Sequence, residues 1–112
     1  MSDKKFYLSK EQIAPLIPGM GGCLATDRIT VDGQKVGYMY RDEPHNPLDS
    51  GWCFFAGDED EAYTNNPENV AVYDVNTIAN YDPDIMPFLH EGAGSRFERD
   101  ENGCFRRLAD DE

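Results

Sequence analysis

The chain has 112 residues, of which 22 are acidic and 10 are basic, giving a net charge of −12 at neutral pH. This length suits a single domain, residues 1–112, with one modest hydrophobic core, and no apolar run approaches the roughly 18 residues that a membrane-spanning helix needs. Such an acidic surface repels nucleic acid and anionic lipid and attracts basic partners or cations, which argues against nucleic-acid-binding and membrane-bound classes.

The first segment, residues 1–21, is predicted to form an N-terminal arm that carries one short helix. Ser9 suits the N-cap position of that helix, and Pro15 and the Pro18-Gly19 pair limit its length. The charged and polar residues directly after Ser9 interrupt any apolar signal sequence. A cytoplasmic location is therefore expected.

Residues 22–108 are expected to form the folded core, which opens with a predicted β-hairpin. Leu24–Thr30 and Lys35–Arg41 are rich in strand-forming residues, and Asp32-Gly33 between them is a strong turn sequence. Residues 51–57, GWCFFAG, follow as a third strand. Their apolar character is continuous, which predicts a central strand that is buried on both faces.

The run of four acids at 58–61 marks the point where this third strand is expected to leave the core. It predicts one short helical turn and a loop, with Asp58 or Asp60 as the cap of the turn. Acidic residues in a first turn also suit the helix dipole. Val70–Val75, VAVYDV, is predicted as a fourth strand.

A turn, a helix and a hairpin are predicted for the remainder. Asn76 or Thr77 is expected to cap a turn, and Pro83–Leu89 is expected to be a helix with proline at its first position. Arg96–Asp100 and Cys104–Leu108 are predicted to pair as a hairpin around the sequence ENG.

Short links between most strands favour an α+β fold, with a mainly antiparallel sheet of five or six strands and one or two helices on one face. Residues 109–112 are expected to be a frayed tail. Twelve apolar side chains are expected to supply much of the core: Val36, Tyr38, Trp52, Phe54, Phe55, Val70, Val72, Ile78, Ile85, Phe88, Leu89 and Phe97.

Three segments of the chain carry a family resemblance: GGCLATDRITVDGQKVGYMYR, DSGWCFFAGDEDEAYTNNPENVAVYDVNTIANYDPDI and GSRFER. Over about residues 22–99 they resemble a family of small acidic bacterial proteins of unknown function that is grouped with predicted immunity proteins of polymorphic toxin systems. The resemblance implies an α+β domain without an established cofactor or catalytic residue. It also implies a role in neutralising a toxin.

The three cysteines, Cys23, Cys53 and Cys104, do not suggest a disulfide framework or a zinc site. Their number is odd and their spacings are wide, and no paired CxxC or HxxxH motif accompanies them. We expect reduced, mostly buried thiols and no cofactor or metal.

The acid run Asp58, Glu59, Asp60 and Glu61 also fails the tests for a calcium or catalytic site. An EF-hand loop needs glycine at its sixth position and glutamate at its twelfth, where this sequence has Tyr63 and Asn69. Adjacent acids do not predict the spacing of about 5–10 Å that paired-carboxylate hydrolysis needs. The run is interpreted as a solvated cap whose charge is available to a partner, with weak divalent-cation binding as the alternative.

The distribution of charge suggests what that partner is. Between residues 42 and 95 the chain has 12 acids and no lysine or arginine, which either serves solubility alone or, as we predict, serves binding to a basic protein. The acid run would supply rim charges. Trp52 and Tyr63 are interpreted either as packing residues or as aromatic anchors of that interface.

A second class of function depends on the segment VNTIANYDPDI, which is rich in asparagine and aspartate. Its polar members either satisfy backbone groups in a turn or form a polar pocket for a small molecule, a metal or a hydrolytic reaction. His45 and His90 have no partner at motif spacing, so no catalytic residue is assigned. The proposed pocket residues are Asn76, Thr77, Asn80, Tyr81 and Asp82.

Overall fold

A six-stranded sheet forms the centre of the molecule in the computed structural model, which describes residues 6–8, 10–17, 19–44 and 46–108. The strands are β1 (Gly22–Thr26), β2 (Tyr38–Arg41), β3 (Asp49–Phe55), β4 (Val70–Asp74), β5 (Arg96–Arg99) and β6 (Phe105–Arg107). The α-helices are α1 (Asp27–Thr30), α2 (Glu61–Thr64) and α3 (Val75–Tyr81). Short 3₁₀ segments occupy Lys10–Gln12, Pro67–Asn69 and Pro83–Phe88. The predictions for Ser9, for His45 and for the tail at 109–112 lie outside the described residues.

The strand order across the sheet is β4-β1-β3-β2-β5-β6. Only β1 and β3 run parallel, and the other four neighbouring pairs are antiparallel. The predicted α+β class with a mainly antiparallel sheet is therefore confirmed. The final hairpin of β5 and β6 is confirmed too, as is the short helical turn, which begins at Glu61, the last residue of the acid run.

The hydrophobic core lies between one face of this sheet and the helices. Strand β3 contributes Trp52 and Phe54, and both are fully buried. Helix α3 and the 3₁₀ segment after it place Ile78 and Ile85 in the same cluster. Successive strand residues point to opposite faces, so Trp52 and Phe54 fill this covered face while Cys53 and Phe55 point to the other. In the described part of the chain no helix has the length and apolar character required to cross a membrane.

The predicted hairpin at the start of the core is wrong. Strand β1 ends at Thr26, helix α1 follows at once, and β3 separates β1 from β2 in the sheet. The helical turn buries Ile29 completely, and Gly33 closes it with a positive φ of 77° and an N–H that donates to the Ile29 carbonyl. The Asp32-Gly33 sequence is compatible with a hairpin turn and with a helix end, because both need a residue with positive φ.

The turn predicted at Asn76 or Thr77 is also wrong, since this segment is the two-turn helix α3. Asp74 caps it by accepting a hydrogen bond from the Asn76 N–H at 2.9 Å. The helix predicted at Pro83–Leu89 is present as a 3₁₀ segment, with Asp82 as its cap. Strand β4 consequently ends one residue earlier than predicted.

Most of the predicted core is buried. The confirmed members are Val36, Trp52, Phe54, Ile78, Ile85, Leu89 and Phe97. Val72 is 72% exposed, so its assignment to the core is wrong. Tyr38, Phe55 and Val70 are half-buried, and Phe88 is half-buried but packs against the core cluster.

Candidate functional site

The sheet has a second face, opposite the covered one, which we call the open face. One row of residues crosses it from β4 to β2: Val72 lies beside Leu24, Leu24 beside Cys53, and Cys53 beside Tyr40. Val72 and Leu24 are 72% and 41% exposed. Neighbouring exposed apolar side chains such as Val72 and Leu24 are a common feature of binding surfaces.

Three aromatic rings of the open face form a cluster. Tyr38 and Tyr40 are two residues apart on β2, and Phe55 lies across from Tyr38 on β3. The ring centroids are 5.9 Å apart for Tyr38 and Tyr40, 6.0 Å for Tyr38 and Phe55, and 5.9 Å for Tyr40 and Phe55. They line a concave site of about 690 Å³. We call this site the aromatic depression.

Small residues make room for the aromatic depression where β2 passes the end of β3. Gly37, Ala56 and Gly57 line it beside the rings. A Cβ atom at Gly37 would clash with the Ala56 carbonyl oxygen, because the Gly37 backbone lies close to the end of β3 and its N–H donates to the Phe55 carbonyl at 2.8 Å. Only glycine permits this close approach.

The charged residues that line the aromatic depression are mostly acidic: Asp58 and Glu59 from the acid run, and Glu98 from β5. Arg99 also lines it, but its guanidinium is directed to two other carboxylates, Asp82 at 2.6 Å and Asp84 at 3.2 Å. The fields of these residues therefore favour a cationic ligand over an anionic one.

Glu59 is the most strongly bound residue of the acid run. Its carboxylate accepts hydrogen bonds from the Thr26 hydroxyl at 2.5 Å and from the N–H groups of Ala56 at 2.7 Å and Gly57 at 2.8 Å. Burial raises the pKa of Glu59, but these hydrogen bonds outweigh burial and hold the pKa below its ordinary value. The ionised side chain thus ties the end of β3 to the end of β1.

The other three acids remain at the surface. Asp60 caps α2 by accepting a hydrogen bond from the Tyr63 N–H at 2.7 Å, and Asp58 lies 3.6 Å from the Arg28 guanidinium. Glu61 is exposed at the first position of α2. Three of the four predicted rim charges therefore have exposed side chains, whereas Glu59 is a structural carboxylate.

The two predicted aromatic anchors differ in exposure. Trp52 is fully buried, and its indole N–H donates to the Leu89 carbonyl at 3.1 Å. Its position supports the packing interpretation and leaves no surface for a partner. Tyr63 is half-buried beside the acid run, with the Arg28 guanidinium 4.8 Å above its ring.

The side chains of the predicted polar pocket bond to the chain's own backbone. Asn76 accepts from the Leu16 and Ile17 N–H groups, each at 2.8 Å, and Asn80 donates to the Ala14 carbonyl at 2.8 Å. These bonds attach the N-terminal arm to α3. Thr77 lies on the same helix and is half-buried.

Tyr81 and Asp82, the last two residues of the predicted pocket, are also engaged. The Tyr81 hydroxyl donates to the Thr30 carbonyl at 2.9 Å. Asp82 is fully buried, and one of its oxygens accepts from the Val36 N–H at 2.9 Å and from Arg99. The segment therefore joins parts of the fold rather than lining an empty pocket.

The thiols are poor candidates for chemistry. Cys23 and Cys53 are buried and Cys104 is exposed, in agreement with the expectation of mostly buried thiols. Burial raises the pKa of both Cys23 and Cys53, so neither is an activated thiolate. Within the described ranges, no group of three or more histidine, cysteine or acidic side chains is placed to hold a metal ion.

The aromatic depression is the part of the site that sequence reasoning missed. Alternation along β2 puts Tyr38 and Tyr40 on one face, yet it cannot say which face the helices cover, and Tyr38 was expected in the core. Glu98 was not identified as a site residue, because only the pairing of β2 with β5 shows that it lies across from Tyr38.

Comparison with known families places this fold in context. Residues 23–109 match the family described as the immunity protein Imm33 domain. The chain belongs to this family. The match runs from Cys23 in β1 through β6, includes every residue of the aromatic depression, and leaves residues 1–22 outside. No curated protein and no solved structure was found to match the chain.

Proposed function

We propose that this protein is a bacterial immunity protein that neutralises a basic toxin by binding it, without catalysing a reaction. Membership of the immunity protein family over residues 23–109 carries the proposal, because an immunity protein acts on a toxin partner. The basic character of that partner is inferred from the 12 acids and the absence of lysine and arginine between residues 42 and 95.

The surface that we propose for the toxin combines the acid run with the aromatic depression beside it. Exposed Asp58, Asp60 and Glu61 would act as rim charges, and Tyr63 would lie among them. Toxins that act on nucleic acid need basic clefts to bind phosphate. An acidic protein can occupy such a cleft through complementary charge, with association that is fast and sensitive to salt.

We propose that the two proteins meet in the cytoplasm. The three cysteines are free, which suits a reducing compartment. The competing hypothesis of a small-molecule, metal or hydrolytic site at residues 76–84 has no observation in its favour, since those polar side chains bond to the chain itself.

The test begins with capture of the partner from the native host and its purification as a defined protein. Expression of that partner alone should arrest growth, and co-expression of this protein should restore it. A captured partner that does not harm cells would contradict the immunity role.

Association rates then test the electrostatic part. A variant with Asp58→Asn, Asp60→Asn and Glu61→Gln should associate about tenfold more slowly at low salt, and the difference should shrink at high salt. Asparagine remains a good N-cap, so α2 should persist. The matched control changes three exposed acids elsewhere, Glu11→Gln, Glu43→Gln and Glu101→Gln. Equal rates for the two variants at low salt would contradict a role for the acid run.

A further inference from the structure

Building on the toxin-binding role above, we propose that the aromatic depression receives an arginine side chain of the basic partner. The guanidinium would stack on the rings of Tyr38 and Phe55, and the carboxylates at the edge of the depression would balance its charge. The partner chemistry is thus defined as an exposed arginine on a protein surface.

The ring geometry favours a planar cation. The Tyr40 and Phe55 rings are inclined by only 15°, and the Tyr38 and Phe55 rings by 38°. Aromatic cages for a quaternary ammonium ion surround it with several ring faces, whereas the Tyr40 and Phe55 rings are nearly parallel to each other, with centroids 5.9 Å apart. A guanidinium is flat and weakly hydrated, so it stacks on aromatic faces more readily than a lysine ammonium does.

The charges around the rings favour a cation as well. Asp58, Glu59 and Glu98 line the aromatic depression. The nearest arginines do not neutralise this group completely, because each is shared between two carboxylates: Arg28 lies 3.7 Å from Asp32 and 3.6 Å from Asp58. Glu98 has an exposed ion pair with Arg106 at 3.4 Å, and such a pair contributes little and exchanges readily.

Arg96 lies across from Tyr40 on β5, in the row next to Tyr38 and Glu98, and it has an interaction of its own within the chain. The carboxylates of Asp58 and Glu59, which line the depression, attract an incoming guanidinium. The two occupants that charge disfavours are a second copy of this chain, with a net charge of −12, and nucleic acid.

The first experiment is an NMR titration of the whole protein with N-acetyl-arginine amide, followed through the aromatic ring signals. We expect saturable shifts at Tyr38 and Phe55 with a Kd in the millimolar range. The neutral isostere N-acetyl-citrulline amide should produce no saturable shift at these rings. Equal shifts with both probes, or saturable shifts centred elsewhere, would overturn the proposal, as would the absence of any shift.

Two variants test whether the charge of Glu98 and the ring of Tyr38 contribute to arginine binding. Glu98→Gln and Tyr38→Leu should each weaken arginine binding by about fivefold, the loss expected for one exposed charge or cation–π contact. Glu101→Gln removes the same charge from an exposed turn and should leave the Kd unchanged. The backbone amide spectrum establishes that Tyr38→Leu is folded. If both variants bind like the wild type, the depression is not the arginine site.

Two further measurements distinguish the arginine site from its alternatives. Sedimentation of the free protein detects a dimer, and the toxin assay tests the immunity function. A dimer whose interface signals are those of Tyr38 and Phe55 would overturn the proposal in favour of a second copy. If arginine amide binds but the captured partner is harmless, the immunity function fails and the arginine site stands. If the toxin is neutralised equally well by Tyr38→Leu, the docking site fails and the immunity function stands.

Discussion

Phe54 and Phe55 are neighbours in the chain, yet they lie on opposite faces of β3. Phe54 is fully buried against the helices, stacked on Trp52 with ring centroids 5.9 Å apart. Phe55 is half-exposed and belongs to the aromatic depression. The same residue type therefore serves folding on one face and is available for binding on the other. What differs is only the layer of helices, which covers one face of the sheet.

The same contrast holds for ion pairs. On the covered side, Asp82 is fully buried and meets Arg99 at 2.6 Å. On the open face, Glu98 meets Arg106 at 3.4 Å, and both side chains are exposed. Removing one partner of a buried ion pair lowers the stability of the protein strongly, because the remaining charge has neither its partner nor water around it. Removing one partner of an exposed pair lowers the stability little, because water solvates the remaining charge.

The largest expected effect separates the two phenylalanines. Phe54→Ala should lower the free energy of unfolding by about 3 to 5 kcal/mol, because it leaves a cavity in the core. Phe55→Ala should lower it by about 1 to 2 kcal/mol, because its side chain is already half in water. Urea unfolding of both variants measures the difference. Equal losses would contradict the assignment of the two faces.

The second prediction applies the contrast to the carboxylates. Asp82→Asn should cost about 3 kcal/mol of stability, since it removes the charge that Arg99 and the Val36 N–H contact in the interior. Glu98→Gln should cost less than about 0.5 kcal/mol. Thermal and urea unfolding of this matched pair test the idea. A large loss at Glu98 would show that the open face is covered in solution.

The third prediction concerns Glu59, which lines the aromatic depression and bonds to Thr26 and Ala56. Glu59→Gln should cost about 1 to 2 kcal/mol at pH 7, because a neutral amide with a single oxygen acceptor replaces a carboxylate whose two oxygens accept three hydrogen bonds. Its pKa is lower in the folded than in the unfolded chain, so this stabilisation is present above the unfolded value of about 4.3 and is lost as the pH falls through the folded value.

Unfolding experiments from pH 7 to pH 3 check this. The difference between wild type and Glu59→Gln should shrink toward zero at the acidic end. Glu43→Gln, an exposed residue of the β2–β3 loop, should match the wild type at pH 7. A constant difference across this range would mean that the Glu59 charge does not carry the effect.

The sequence alone determined the features that depend on short-range chemistry. Continuous apolar character identified β3 as a central strand, and glycine and asparagine around ENG identified the last hairpin. Asp60 was one of two residues predicted as the cap, together with Asp58, because a capping side chain needs only the backbone three residues ahead. The acidic surface also follows from composition, because charge does not depend on the fold.

Tertiary structure decided which elements became neighbours and which face was covered. The segment after Thr26 is a helix and not the continuation of a strand, because only the helical turn places Ile29 in the core. Asn76 and Asn80 bond to an arm some 60 residues earlier in the chain, which no local pattern reveals. The aromatic depression is of the same kind: its rings come from β2 and β3, its carboxylates from the segment after β3 and from β5, and only the strand order of the sheet brings them together.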